Sequence, residues 1–151
     1  MEKYPAALIS NQLNIPYLCS PTSEKIIHEK LKKPIVGVLH GIEYTPIVSL
    51  LISSERYKKV IHVTFVIDLQ SPYTYICHNV LYAFTINATP EPKKDIQNIL
   101  FRDSVLTVRR SSDTLCRNTN VLGKDFFTKT NCQLKYDYIN DEVILSFPTK
   151  K

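Results

Sequence analysis

The chain has 151 residues, 44% hydrophobic and 22% charged, a composition that gives one globular domain enough apolar surface for its own core and excludes wholesale disorder. Its 19 basic and 14 acidic residues leave a net charge of +5, but the cations fall in scattered pairs (Lys32-Lys33, Lys58-Lys59, Lys93-Lys94, Arg109-Arg110, Lys150-Lys151), which puts a nucleic-acid-binding stripe behind a plain solubility role. Cys19, Cys77, Cys116 and Cys132 are widely spaced, with no Cys-x-x-Cys pair and no His at ligand spacing, so no metal site is expected.

In chain order, residues 1–33 read as an N-terminal arm and a surface helix, and residues 34–151 as a β domain. The arm carries Ala6 to Ile9, Leu13, Ile15 and Leu18, interrupted by Pro5 and Pro16. Ser20-Pro21 is a helix start, with Ser20 as N-cap and Pro21 at the first helical position, and the helix should stop at Lys33 before Pro34. Its apolar content, Ile26, Ile27 and Leu31, allows only a narrow packing stripe. Glu2, Lys3 and Pro5 stand where a signal peptide needs an unbroken apolar core, and no stretch approaches the ~20 apolar residues of a membrane helix. The expectation is an intracellular, cytoplasmic chain with reduced thiols and no membrane partner.

Strands dominate afterwards. Ile35 to Leu39 reads as the first, His40 to Glu43 as a turn, Pro46 to Ser53 as the second strand and Val60 to Asp68 as the third, with a hairpin through the polar run Ser54 to Lys59. Cys77 to Ile86 is apolar, and its periodicity leaves strand and helix both open. Asn87 to Asp95 is a loop by composition. Ile99 to Arg109 reads as one or two strands broken at Asp103, with Leu106 and Val108 on a buried face and Thr107 and Arg109 on a solvated one. Ser111 to Thr119 is a second polar loop. Val121-Leu122-Gly123 then leads into a helical turn, Lys124 to Lys129. Gln133 to Tyr138 and Glu142 to Phe147 flank Ile139-Asn140-Asp141 as a closing hairpin, with Leu134, Tyr136 and Tyr138 on one face.

The most informative stretch is Val63 to Ile76. Val63, Phe65 and Ile67 alternate with Thr64, Val66 and Asp68, so a strand with apolar residues on both faces delivers one carboxylate into a turn. By itself this is a turn aspartate that accepts backbone N–H bonds from Gln70 and Ser71. Phe65-Val-Ile-Asp-Leu-Gln-Ser-Pro-Tyr-Thr-Tyr-Ile76 also resembles the active-site turn of the retropepsin-like aspartic proteases of retroviruses and retrotransposons, in which apolar residues precede Asp-Thr/Ser-Gly-Ala/Ser. Thr119-Asn-Val-Leu-Gly-Lys-Asp-Phe-Phe127 is similar to that family's second motif, where apolar residues and a glycine open a short helix. The resemblance covers roughly residues 44–148. It implies a mainly β, retropepsin-like closed acid-protease barrel with a short N-terminal helix and a short C-terminal helical turn. Val121, Leu122, Gly123 and Asp125 are then structural, as is Ser71, and Asp68 is the one residue at the catalytic position.

The chemistry implied by the family needs two carboxylates sharing a proton, one acting as base and the other as acid, and a single chain supplies one of them. Leu69 stands where the family has the Thr or Ser hydroxyl that braces the turns, and Gln70 where it has Gly. No glycine occurs between Gly41 and Gly123, the region where a flap would fall. These departures imply a catalytically silent domain that serves as a binding or assembly module for a protein or peptide. The alternatives are an active, divergent aspartic endopeptidase working as a homodimer through Asp68, and a basic β domain associated with RNA or a ribonucleoprotein. No phosphate-cradling glycine loop is present, and no cofactor is expected. Val66, Ile67, Val121, Leu122 and Leu145 are expected in one core, with Gly123 beside the Asp68 turn. Glu142 to Phe147 is expected to present an edge for a symmetric dimer unless the N-terminal arm covers it.

Overall fold

The computed structural model describes residues 33–54, 59–85, 96–111 and 119–148. The expected arm and N-terminal helix, the loop at 87–95 and most of the loop at 111–119 lie outside these residues. Near-continuous apolar runs form the two longest strands, β2 (Thr45–Ser54) and β3 (Val60–Ile67), which pair antiparallel from Ile47↔Val66 to Ser53↔Val60. Because both faces of these strands are apolar, nearly every residue is buried: Ile47, Val48, Leu50, Ile52, Ile61, Val63 and Phe65 are almost fully so. Each such side chain is worth about 1.5–3 kcal/mol of transfer free energy, which makes this hairpin the main source of core stability.

The remaining strands are β1 (Ile35–His40), β4 (Tyr75–Ile76), β5 (Ile96–Phe101), β6 (Ser104–Arg110), β7 (Asn120–Leu122), β8 (Gln133–Asp137) and β9 (Glu142–Ser146). The sheet order is β3-β7-β4-β6-β5-β2-β1-β9-β8, and the added β2–β3 pairing closes the first six of these strands into a barrel. β2 is shared: its start pairs with β1 and its end, Ser53 and Ser54, with β5. The chain is therefore mainly β, with a closed barrel from which β1, β9 and β8 continue as a ribbon. Gly37 stands where β1 crosses β2, because a Cβ there would collide with the Ile47 carbonyl oxygen.

Two helices complete the described residues. Cys77, Val80, Leu81 and Phe84 recur at helical spacing and are all buried, which places α1 at His78–Thr85 and settles what periodicity had left open. α2 (Lys124–Thr130) is longer than the single turn expected, running seven residues to a left-handed Asn131. Phe126 of α2 packs edge-on to Phe101 of β5 at 5.2 Å, and Phe147 lies 5.4 Å from the same Phe101 ring. The Arg102 guanidinium covers Phe147 at 4.3 Å.

Two expectations change. Ile67, Leu122 and Leu145 join the core, but Val66 and Val121 are only half-buried. They are direct neighbours across the parallel β3–β7 pair, one step out of register from the interior pair Ile67↔Leu122, so alternation turns both outward. The edge expected on Glu142 to Phe147 is also filled: β9 pairs with β1 on one side and β8 on the other, which leaves β8 as the outermost strand among the described residues.

Candidate functional site at the Asp68 turn

β3 ends at Ile67, and its parallel pairing with β7 carries one residue further through Asp68 N–H donating to the Leu122 carbonyl at 3.0 Å. From there the chain turns through Leu69 to Tyr73 and re-enters the sheet as β4, which lies antiparallel to β7 and parallel to β6. β7 is thus held between the strand that enters the turn and the strand that leaves it. The chain topology brings the two sequence motifs together here.

Thr74 and Asp125 lock the turn. Thr74 is fully buried; its N–H donates to Asp125 Oδ2 at 3.1 Å and its hydroxyl to Asp125 Oδ1 at 2.6 Å. The same hydroxyl oxygen accepts the Gly123 N–H at 3.0 Å, so its donor and one acceptor site are both used. Asp125 stands in the first turn of α2, where a carboxylate also favours the helix dipole. Lys124 N–H donates to the Ser71 carbonyl at 2.8 Å, and the Ser71 hydroxyl to the Tyr73 carbonyl at 2.7 Å. Gly123 is obligatory: a Cβ would collide with the Tyr73 carbonyl and lie 2.9 Å from the Ser71 carbonyl oxygen.

A buried side chain to which the sequence reading gave no role braces the other side. Asn120 is fully buried; its Oδ1 accepts the Cys77 N–H at 2.8 Å, and its Nδ2 donates to the Thr64 carbonyl at 3.0 Å. It joins β3, β7 and the start of α1 in one contact. No local pattern marks Asn120 or Thr74, because their partners lie 43 to 56 residues away in the chain.

Asp68, Leu69 and Gln70 occupy the outer surface of this frame, and all three are exposed. The Asp68 carboxylate accepts the Gln70 N–H at 3.0 Å, as expected of a turn aspartate. Ser71 N–H goes instead to the Asp68 main-chain carbonyl, at 3.1 Å. An exposed bond of this kind is worth less than about 1 kcal/mol, against about 1.5–3 kcal/mol for a bond to a charged group in a drier setting. Thr74 and Asp125, not Asp68, hold the turn. Beside it the Arg109 guanidinium lies 4.0 Å over the exposed Tyr73 ring.

A lone surface carboxylate has no partner within the described chain with which to share a proton. Asp125 is turned to Thr74, and Asp103 lies in the β5–β6 turn. Of the two described thiols, Cys77 is buried, and burial pushes the Cys132 thiol up to about 12, opposed only in part by the Arg102 guanidinium. Among the described residues no three His, Cys, Asp or Glu side chains converge on a metal position, and no helix is long and apolar enough to cross a membrane. No protein-family model matches the chain, and no curated protein matches it.

Proposed function

We propose that the chain is a retropepsin-like domain with a silent catalytic turn, working as a binding or assembly module for a protein or peptide partner. One observation carries this reading. The inner half of the turn, built from Gly123, Thr74 and Asp125 around the crossing of β3 and β7, is fully braced, while its exposed half presents Leu69 and Gln70. Leu69 has no hydroxyl to brace a second copy of the turn. Gln70 adds a side chain where substrate and water would need room to reach a carboxylate pair. The frame serves the fold, and the surface has lost what proton sharing requires.

An active homodimeric endopeptidase is the competing reading, favoured by the exposure of Asp68, which leaves its carboxylate accessible to a second copy. A peptide library incubated with the full chain at mildly acidic pH separates the two. The expected outcome is no cleavage by the natural chain, and cleavage gained when Leu69→Thr and Gln70→Gly are combined. Cleavage by the natural chain that disappears in Asp68→Asn would overturn the silent-module reading.

A further inference from the structure

Two hairpin tips stand together on the β1–β9–β8 ribbon. Leu39 N–H donates to the Asp141 carbonyl at 2.8 Å, which ties the end of β1 to the β8–β9 turn. On the tips Ile42 is 97% and Ile139 93% exposed, beside exposed Tyr44, Tyr136 and Tyr138. These are five of the nine large hydrophobic residues exposed among the described ones, so apolar surface is concentrated here instead of being scattered. The tyrosines are ordered against one another: Tyr138 meets Tyr44 edge-on at 5.3 Å and stacks on Tyr136 at 5.9 Å. The Asp137 carboxylate fixes the turn by accepting the Ile139 N–H at 3.1 Å, the Asn140 N–H at 3.2 Å and Asn140 Nδ2 at 2.9 Å. Rigid aromatics of this kind give up little entropy on binding.

The edge and the charge say what this surface fits. Among the described residues β8 pairs with β9 alone, so every second residue of β8 turns its N–H and C=O outward. Asp137 lies directly opposite Glu142, so the two carboxylates share one face of the hairpin with Lys135, two residues before Asp137. Across residues 133–146 Lys135 is the single Lys or Arg, against Asp137, Asp141 and Glu142, in a chain whose net charge is +5. The ribbon is thus an acidic, tyrosine-bearing edge on a basic molecule.

We propose that the outer edge of β8 receives an extended, basic segment of a partner protein, which pairs with the β8 main chain and sets Arg or Lys side chains against Tyr136 and Tyr138 on one face and Asp137 and Glu142 on the other. Strand addition sends successive side chains to opposite faces, so neighbouring cations reach both the rings and the carboxylates. The rings attract them through their π faces, and the carboxylates through charge. This deepens the binding-module reading and rests on it. It uses elements other than the Asp68 turn, so the cleavage assay and the peptide assay below can fail independently.

The test is fluorescence anisotropy of the full chain with a fluorescein-labelled dodecapeptide of repeated Arg-Lys-Thr-Val. The comparison peptides are a charge-reversed Glu-Asp-Thr-Val repeat and the basic peptide with alternate backbone nitrogens methylated. Saturable binding of the basic peptide alone is expected, weakening with added salt. Backbone methylation, the pair Tyr136→Ser with Tyr138→Ser, and Glu142→Gln should each weaken it, the first two by roughly tenfold. Melting curves verify that each variant is folded. The proposal is overturned if the basic peptide shows no saturable binding, if both charges bind equally, or if the two tyrosine substitutions leave binding unchanged. It is also overturned if sedimentation shows the natural chain self-associating and the tyrosine variant monomeric, since the occupant is then a second copy.

Discussion

Gly123 and Asp68 belong to the same turn, yet replacing them should cost very different amounts. The atoms nearest a Cβ on Gly123 are all main-chain, the Tyr73 carbonyl and the Ser71 carbonyl oxygen, and these are pinned by the bonds of Thr74 and Lys124. Because neither can swing aside, Gly123→Ala should destabilise the chain by about 2–3 kcal/mol in urea titration. Asp68→Asn keeps an oxygen for the Gln70 N–H at an exposed position, so its effect should stay within about 0.5 kcal/mol. The reverse order would mean that the carboxylate, and not the glycine crossing, holds the turn. Of the candidate residues, Gly123 was legible as a glycine at a buried backbone crossing, and Asp125 only through the resemblance of its motif. Thr74 and Asn120 were not, because a hydroxyl or amide becomes structural only when a distant strand buries it.

At the scale of elements, the β8–β9 hairpin carries its own pH dependence. The Asn140 side chain and then the Asn140 main-chain N–H hold the Asp137 carboxyl below its ordinary value of 3.8. A carboxyl lowered in the folded state contributes stability that is fully present above its unfolded value. That contribution fades as pH falls through 3.8 and on through the lower folded value. Asp137→Asn should therefore lower the melting temperature near neutral pH, and the gap between variant and natural chain should close in strong acid. A gap that persists unchanged at the lowest pH would show that the turn does not depend on ionised Asp137. α1 teaches a different lesson at this scale. Its stripe of Cys77, Val80, Leu81 and Phe84 is helical in spacing, but so short an apolar run also reads as a buried strand. What decides is the barrel wall: β4 ends at Ile76, and Asn120 accepts the Cys77 N–H that would otherwise continue a strand ladder.

For the molecule as a whole, the barrel and the ribbon should differ in how firmly they hold their backbone protons. β2 and β3 pair over seven residues and are buried on both faces, so their amides should exchange only on global unfolding. In β8 the amides directed away from β9 should exchange orders of magnitude faster, while the alternate ones are protected. Uniform protection along β8 would show that its outer edge is already covered, by the N-terminal arm or by another copy, and would remove the vacancy on which strand addition depends.

Local pattern was enough for the mainly β character, the β2–β3 hairpin, the break at Asp103 and the closing hairpin. Each of these follows from alternation or turn chemistry, both of which are written within a few residues. Closure of the barrel was expected only through the resemblance, and the meeting of the two motifs, the outward tilt of Val66 and Val121, the filled edges of β9 and the exposure of Asp68 were decided in three dimensions. Strand order and the sharing of β2 between β1, β3 and β5 are set by which apolar faces can cover one another, a contest between segments far apart in the chain. The same contest put the tyrosines and acids of the ribbon on the strand that is outermost among the described residues, and no local pattern could have shown that.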